Sequence, residues 1–219
     1  YKRSFEDKNK SLSADLSYSG GWNNDILYAR QDYYDENYGP GSLPTWRQNT
    51  FSKGFNYIIT AQTDYVQSLG KNQKLEIGGK FTSRRVDNDF LSESFNALAG
   101  MFTNDTGISN RFIYDENIIA AYGIYSVKWS KYGFSGGLRL EQTFTESKQI
   151  TTNERVPFNY FAPFPSFHFS RYFEKNREIR LGYSRRINRP GPRELNPFAE
   201  YNDPFNLMFG NPRLRPEFT

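Results

Sequence analysis

Side chains able to do proton-transfer, nucleophilic or metal chemistry are sparse in this chain. His168 is the only histidine, and there is no cysteine. A zinc centre or a His-based catalytic arrangement needs partners that the sequence does not supply, so His168 reads as structural. Carboxylates gather at Asp32, Asp35 and Glu36 and again at Asp87 and Asp89, oxygen ligands that calcium would accept. Neither group has the fixed glycine and terminal glutamate of a complete calcium loop, and both read as solvated charge. Glu116 and Glu141 could be weighed as an acid–base pair, but neither has a nucleophile or oxyanion donor beside it. The chain therefore reads as a non-enzyme without a cofactor or metal. Arg185, Arg186 and Arg189 are the most suggestive charges, three closely spaced guanidinium groups that could grip an anion through bidentate bonds.

Composition limits the scaffold that positions these groups. Hydrophobic residues are 37% of 219 and mean hydropathy is −0.79, yet aromatics reach 18%. Disordered chains are poor in aromatics, so this one is expected to fold. No apolar run approaches the roughly 18 residues that a membrane helix requires. A transmembrane β-barrel accommodates both facts, because every second residue faces a polar lumen and average hydropathy stays low. The 24 acidic residues are interspersed among 28 basic ones, whereas nucleic-acid binders concentrate their basic residues, so no nucleic-acid partner is expected. Without cysteines the redox compartment stays open. No signal peptide begins at Tyr1, and the chain reads as mature, processed or, preferably, a fragment.

Period-2 alternation recurs along the chain. Residues 6–10 read as a tight turn. Leu12, Ala14, Leu16, Tyr18, Trp22, Ile26 and Tyr28 share one face of a strand reaching about Arg30, with a hairpin at Gly20-Gly21 as the alternative. After a loop over Gln31–Asn49, Phe55, Tyr57, Ile59, Ala61, Tyr65 and Leu69 mark a second strand. Gly70–Gln73 turns the chain, and Leu75, Ile77 and Phe81 alternate with Lys74, Glu76, Lys80 and Arg84. Val86–Asn110 reads as a second long loop with room for a short helix near Leu91–Leu98. Strands follow over about Phe112–Ser130, from Phe134 past Leu140, and, after a third loop, over about Phe158–Tyr172. Pro163 and Pro165 each remove a ladder donor and suggest a bulge or an upper rim. Glu174–Arg177 makes the last short turn. Short turns thus alternate with long loops, as the two rims of an outer-membrane barrel would require, and aromatics such as Tyr65, Trp129, Tyr132, Phe134, Phe169, Tyr172 and Phe173 lie beside the short turns like an interfacial girdle.

From Ile179 a last alternating strand gives way to a segment dense in Pro, Asn and Gly, which propagates neither helix nor ladder. Three ordered motifs lie here: Tyr183-Ser184-Arg185-Arg186-Ile187-Asn188-Arg189-Pro190, then Leu195-Asn196-Pro197-Phe198, then Gly210-Asn211-Pro212 with Leu214, Pro216 and Glu217. Together they resemble the barrel region of TonB-dependent outer-membrane receptors, in particular the outer-membrane β-barrel family of Bacteroidetes-type bacteria. The match rests on Arg186, Asn188, Arg189, Pro190, Asn196, Pro197, Gly210, Asn211, Pro212, Pro216 and Glu217.

The resemblance implies an all-β fold, an antiparallel transmembrane barrel segment of about seven long strands, where the whole barrel closes with about 22 around a plug. The whole of residues 1–219 would be part of that single barrel domain, with the plug, the TonB-contacting box and the remaining strands outside this chain. It implies a place in the bacterial outer membrane and partners in membrane lipid and lipopolysaccharide, the remainder of the barrel and its plug, TonB, and a surface lipoprotein. The implied function is import of a bulky nutrient such as a metal chelate, glycan or peptide. A structural or secretion-related barrel without TonB coupling is the first alternative, and a soluble β-sandwich binding module the second. In a barrel, His168 and the Glu116 and Glu141 charges would line the lumen. Arg186 is expected to point inward to a lumen carboxylate and Arg185 to lie at the outer polar rim, with an anionic ligand or lipopolysaccharide phosphate as the competing role. The Gly210-Asn211-Pro212 and Pro216-Glu217 motif reads as a rigid turn that launches a following strand.

Overall fold

The computed structural model describes every residue except 6–8, 176, 199 and 204–205. The turn expected at Glu6-Asp7-Lys8 therefore lies outside the described residues, as does the Asn176 part of the last short turn. The strands are β1 (Lys2–Ser4), β2 (Lys10–Gln31), β3 (Trp46–Ser68), β4 (Gln73–Asn96), β5 (Met101–Asn104), β6 (Asn110–Trp129), β7 (Tyr132–Gln149), β8 (Glu154–Phe173) and β9 (Arg177–Ser184). They form one antiparallel sheet in the order β1-β2-β3-β4-β6-β7-β8-β9. β5 takes the flank of β4 that β6 leaves beyond Phe90. The sheet is open, with edges at β1 and β9.

The register sorts side chains as the alternation requires. Leu75, Ile77 and Phe81 fall on the face shared by Tyr65, Ala61, Ile119, Tyr125, Leu138 and Phe169. No protein layer covers this face: Ile119 is 53% exposed, Phe161 60% and Leu181 63%. A soluble sandwich would bury it, whereas hydrocarbon is the surrounding such a surface needs. Trp129 stacks on Tyr132 at 6.0 Å and Tyr132 on Phe169 at 5.8 Å, beside the short turns. At the other end the same face becomes charged. Arg111 grips Asp87 through two bonds, of 3.1 and 2.9 Å, and Asp115 meets Arg85 at 3.6 Å and Lys148 at 3.0 Å.

The apolar band runs obliquely across the ladder. Trp22 and Phe55 face each other on β2 and β3, yet their row continues into Asp87 on β4, Lys148 on β7 and Arg155 on β8. Strands tilted against a membrane plane produce this displacement, because a row perpendicular to the strands must then cross the bilayer boundary.

Three expectations change. Val86–Asn110 is mostly strand, with β4 continuing to Asn96 and β5 following, and the segment Leu91–Asn96 is extended rather than helical. The third loop likewise shrinks to residues 150–153. Beyond the bilayer both faces of a strand are wet, so the apolar alternation that marks a strand in sequence disappears while the ladder persists. Of the three long loops expected between the strands of the sheet, only the first remains, as residues 32–45. At Pro163 and Pro165 the register with β7 is unbroken, with neither bulge nor shift. Pro165 turns its carbonyl to the far side of β8, where it accepts the Arg185 amide at 3.1 Å, and Pro163 accepts Arg185 Nη1 there at 3.1 Å. β9 has ended by that point, so the missing N–H groups break no ladder bond. The glycines at 20 and 21 sit inside an uninterrupted β2, without a hairpin.

After β9 the chain leaves the sheet. β10 (Ile187–Asn188) pairs antiparallel with β13 (Glu217–Phe218), closing the base of a long loop. Within it lie α1 (Pro192–Leu195), β11 (Glu200–Asp203) and β12 (Asn206–Met208). Gly210 and Asn211 donate their amides to the carbonyls of Asn196 (2.8 Å) and Glu194 (2.7 Å), at the end of α1. A Cβ on Gly210 would lie 2.6 Å from Glu194 O and 2.8 Å from Arg193 O, so only glycine fits.

Two outcomes follow from this geometry. Single cysteines at positions 74, 76 and 80 should react with a charged, water-soluble thiol reagent in the membrane-embedded protein, while those at 75, 77 and 81 should not. The reverse pattern would exchange the two faces. Gly210→Ala should accelerate hydrogen exchange at the Gly210 and Asn211 amides by about 10–100-fold, the effect of overpacking worth about 1–3 kcal/mol. Gly21→Ala, where a Cβ meets nothing within 4 Å, should leave those amides unchanged.

Candidate functional site

The loop between β10 and β13 folds onto the polar face. Leu195, 6% exposed, packs on Phe112 (3%) and Tyr114 (2%), with Val86 alongside, and these form the buried hydrophobic cluster of the described residues. Pro190, Pro212, Leu214 and Pro216 line a small cavity of about 20 Å³ against Tyr114, Phe158 and Tyr160, room for about one water. Arg215 lies over the Phe158 ring, 5.6 Å from its centre, and Asn196 accepts from Asn110 at 3.3 Å. Fixing proline-rich backbone against aromatic faces costs little chain entropy, since proline is already restricted.

A line of polar contacts crosses the wall toward this loop. Asp64, Gly78, Tyr122 and Arg139 occupy one ladder row. The Tyr122 ring spans Gly78, where a Cβ would sit 2.6 Å from the hydroxyl oxygen, and donates that hydroxyl to Asp64. Arg139 lies 5.2 Å from the centre of the Tyr122 ring and donates to Glu141. Glu141, 7% exposed, takes its second partner from the loop, Arg189 Nη2, while Arg189 Nε donates to the Tyr160 hydroxyl at 2.8 Å. The buried carboxylate is thereby paired on both oxygens, the condition for keeping charge out of water.

The arginines divide their roles differently from expectation. Arg189, not Arg186, reaches the inward carboxylate. Arg186 donates Nε to Ser184 Oγ at 3.3 Å, and its backbone pairs with Thr219. Arg185 is held inside the loop base, over the Phe218 ring at 4.3 Å, rather than at an outer rim. The reason is that the sheet ends at Ser184, so strand alternation no longer dictates which residue faces inward.

His168 lies on the polar face against Gly182, where a Cβ would sit 2.7 Å from Nδ1. Glu116 accepts from Tyr114 OH at 3.2 Å and is remote in the ladder from Glu141, whose row partner on β6 is Ala120. Asp87 is taken by Arg111. Asp35 accepts the amides of Asn37 (2.9 Å) and Gly39 (2.8 Å), tying its own loop, and Asp32 accepts from Thr45 at 2.7 Å and from Arg30. Thr45 and Arg30 hold the Asp32 carboxyl below the usual range, so this tie is complete at neutral pH and lost as pH falls through that depressed value. No group of three or more metal-ligating side chains occurs among the described residues.

Phe112, Tyr114, Phe158 and Tyr160 form the floor under the loop, a role that period-2 alternation does not mark. The inward face of these strands also carries Ile118, Ile124, Val156 and Phe164, so no contrast of polar against apolar positions marks the four aromatics.

No curated protein matches the chain. Among solved structures it is similar to the ferric citrate transporter FecA in its unliganded form, with 11% identity and a TM-score of 0.50. That likeness covers 81% of this chain and 28% of FecA, and at such identity it is a likeness of fold. The family model described as "Outer membrane protein beta-barrel family" matches residues 3–219. The chain belongs to this family, and its sheet is wall of an outer-membrane β-barrel.

Proposed function

We propose that the parent protein is a receptor of the TonB-dependent type that imports a bulky nutrient, such as a metal chelate, glycan or peptide, with energy from the inner membrane. The residues here supply wall and a lumen-side loop rather than chemistry. The observation that carries this reading is the loop between β10 and β13, whose Arg189, Leu195, Pro212, Leu214 and Pro216 lie against the polar face. A diffusion pore needs an open aqueous lumen, whereas a receptor needs a structured surface to capture its ligand. TonB would engage a region outside this chain. The outer face would meet lipid and lipopolysaccharide, and a surface lipoprotein is a further partner of the reading.

The proposed orientation puts residues 97–100 outside the cell and residues 69–72 in the periplasm. An epitope in the first should be stained on intact cells, and one in the second only after the outer membrane is permeabilised. Opposite staining inverts the barrel. For transport, labelled ferric chelates, oligosaccharides and peptides should be screened for uptake that depends on the intact receptor. Uptake of the responding compound should stop when a protonophore collapses the gradient. Uptake that survives the protonophore would leave a barrel without energy coupling, a structural or secretion-related scaffold.

A further inference from the structure

The contact between Arg189 and the wall has the form of a ligand in a site. Arg139, itself on the wall, already serves one oxygen of Glu141. Glu116 has the Tyr114 hydroxyl and, in the neighbouring ladder position on β4, Arg84. The second oxygen of Glu141 and the hydroxyl of Tyr160 are served by the loop, through two nitrogens of one guanidinium. These two acceptors match a planar fork of donors. A lysine ammonium is a point donor that does not present such a fork, and a carboxylate or phosphate would be repelled by Glu141. Tyr114, Phe158 and Tyr160 supply apolar faces for the rest of such a group, and Arg215 already lies over Phe158.

Lifting the loop would take the Arg189 guanidinium from one oxygen of Glu141 and from the Tyr160 hydroxyl together. Opening is therefore favoured by a molecule that brings its own guanidinium to these two acceptors, because it binds the open form and not the closed one. We infer that Glu141 and Tyr160 form a guanidinium-binding site which Arg189 fills when the loop is closed. An arginine-bearing peptide displaces it as the loop opens. This rests on the receptor reading above and names a ligand class for that lumen face.

The test uses the purified full-length receptor in detergent. Ser147 lies under the loop, is 6% exposed and lines the same cavity, and Ser147→Cys changes one atom, in a receptor from which any cysteine outside these 219 residues has first been replaced by serine. Its reaction with a charged thiosulfonate should be slow alone and about tenfold faster or more with saturating tri-arginine. Tri-lysine and tri-glutamate should have little effect. Adding Arg189→Ala should make the thiol reactive without peptide and abolish the response to tri-arginine. Glu141→Gln should do the same, and covers the case in which the arginine variant fails to assemble. No acceleration by tri-arginine, equal acceleration by tri-lysine, or a thiol still protected in the two variants would each overturn the site. The labelling needs neither gradient nor inner-membrane machinery. Its failure beside intact energised uptake therefore rejects the site and leaves the receptor reading, while the converse result does the opposite.

Discussion

Everything in this wall answers to the impossibility of leaving a peptide group unpaired in hydrocarbon, where each such group costs several kcal/mol. The strands are accordingly continuous through the apolar band, each bonded to neighbours on both sides wherever the sheet extends. Pro163 and Pro165 of β8 obey the same rule. They occupy positions whose backbone turns away from β7 and beyond the reach of β9, so neither leaves a carbonyl without a donor where one is needed. Their placement also bars β9 from extending further along β8, and that is where the chain departs for the lumen.

The polar face carries a different problem, since its charges must be matched without bulk water on every side. The solution is sequential: Asp64 to Tyr122, Tyr122 to Arg139, Arg139 to Glu141, Glu141 to Arg189. The last link belongs to the loop. The loop is therefore held by apolar packing of Leu195, by backbone bonds between its own motifs, and by closing a charge line that begins three strands away.

Much of the wall could be read from residues alone. Alternation in β2, β3, β4 and β6 fixed which side chains face lipid, because one face there must be apolar. It failed above the membrane, where Asp87, Asp89 and Glu93 on one side and Asn88 and Ser92 on the other look like loop but are ladder. The motif residues were legible as a set and not as an arrangement. Gly210 docks on the end of α1, and Arg189 rather than Arg186 turns inward, because contacts between segments decide both and no local period encodes them. The aromatic floor at Phe112, Tyr114, Phe158 and Tyr160 was not legible, because the same inward positions also hold Ile118, Ile124, Val156 and Phe164 and no alternation sets the four apart.

The pairing of β10 with β13 brings the two ends of the loop together just past the end of β9, beside the middle of β8. The described residues between Arg189 and Pro216 then belong to a cassette mounted on a fixed socket. The cost of closing such a loop grows only logarithmically with its length, about 0.6 kcal/mol for each doubling. Exchanging the cassette for one of different size or chemistry need not disturb the strands beneath it, provided the floor and the socket are kept. One barrel wall could in this way carry loops of unrelated size and chemistry, in a part that the membrane-spanning strands never have to accommodate.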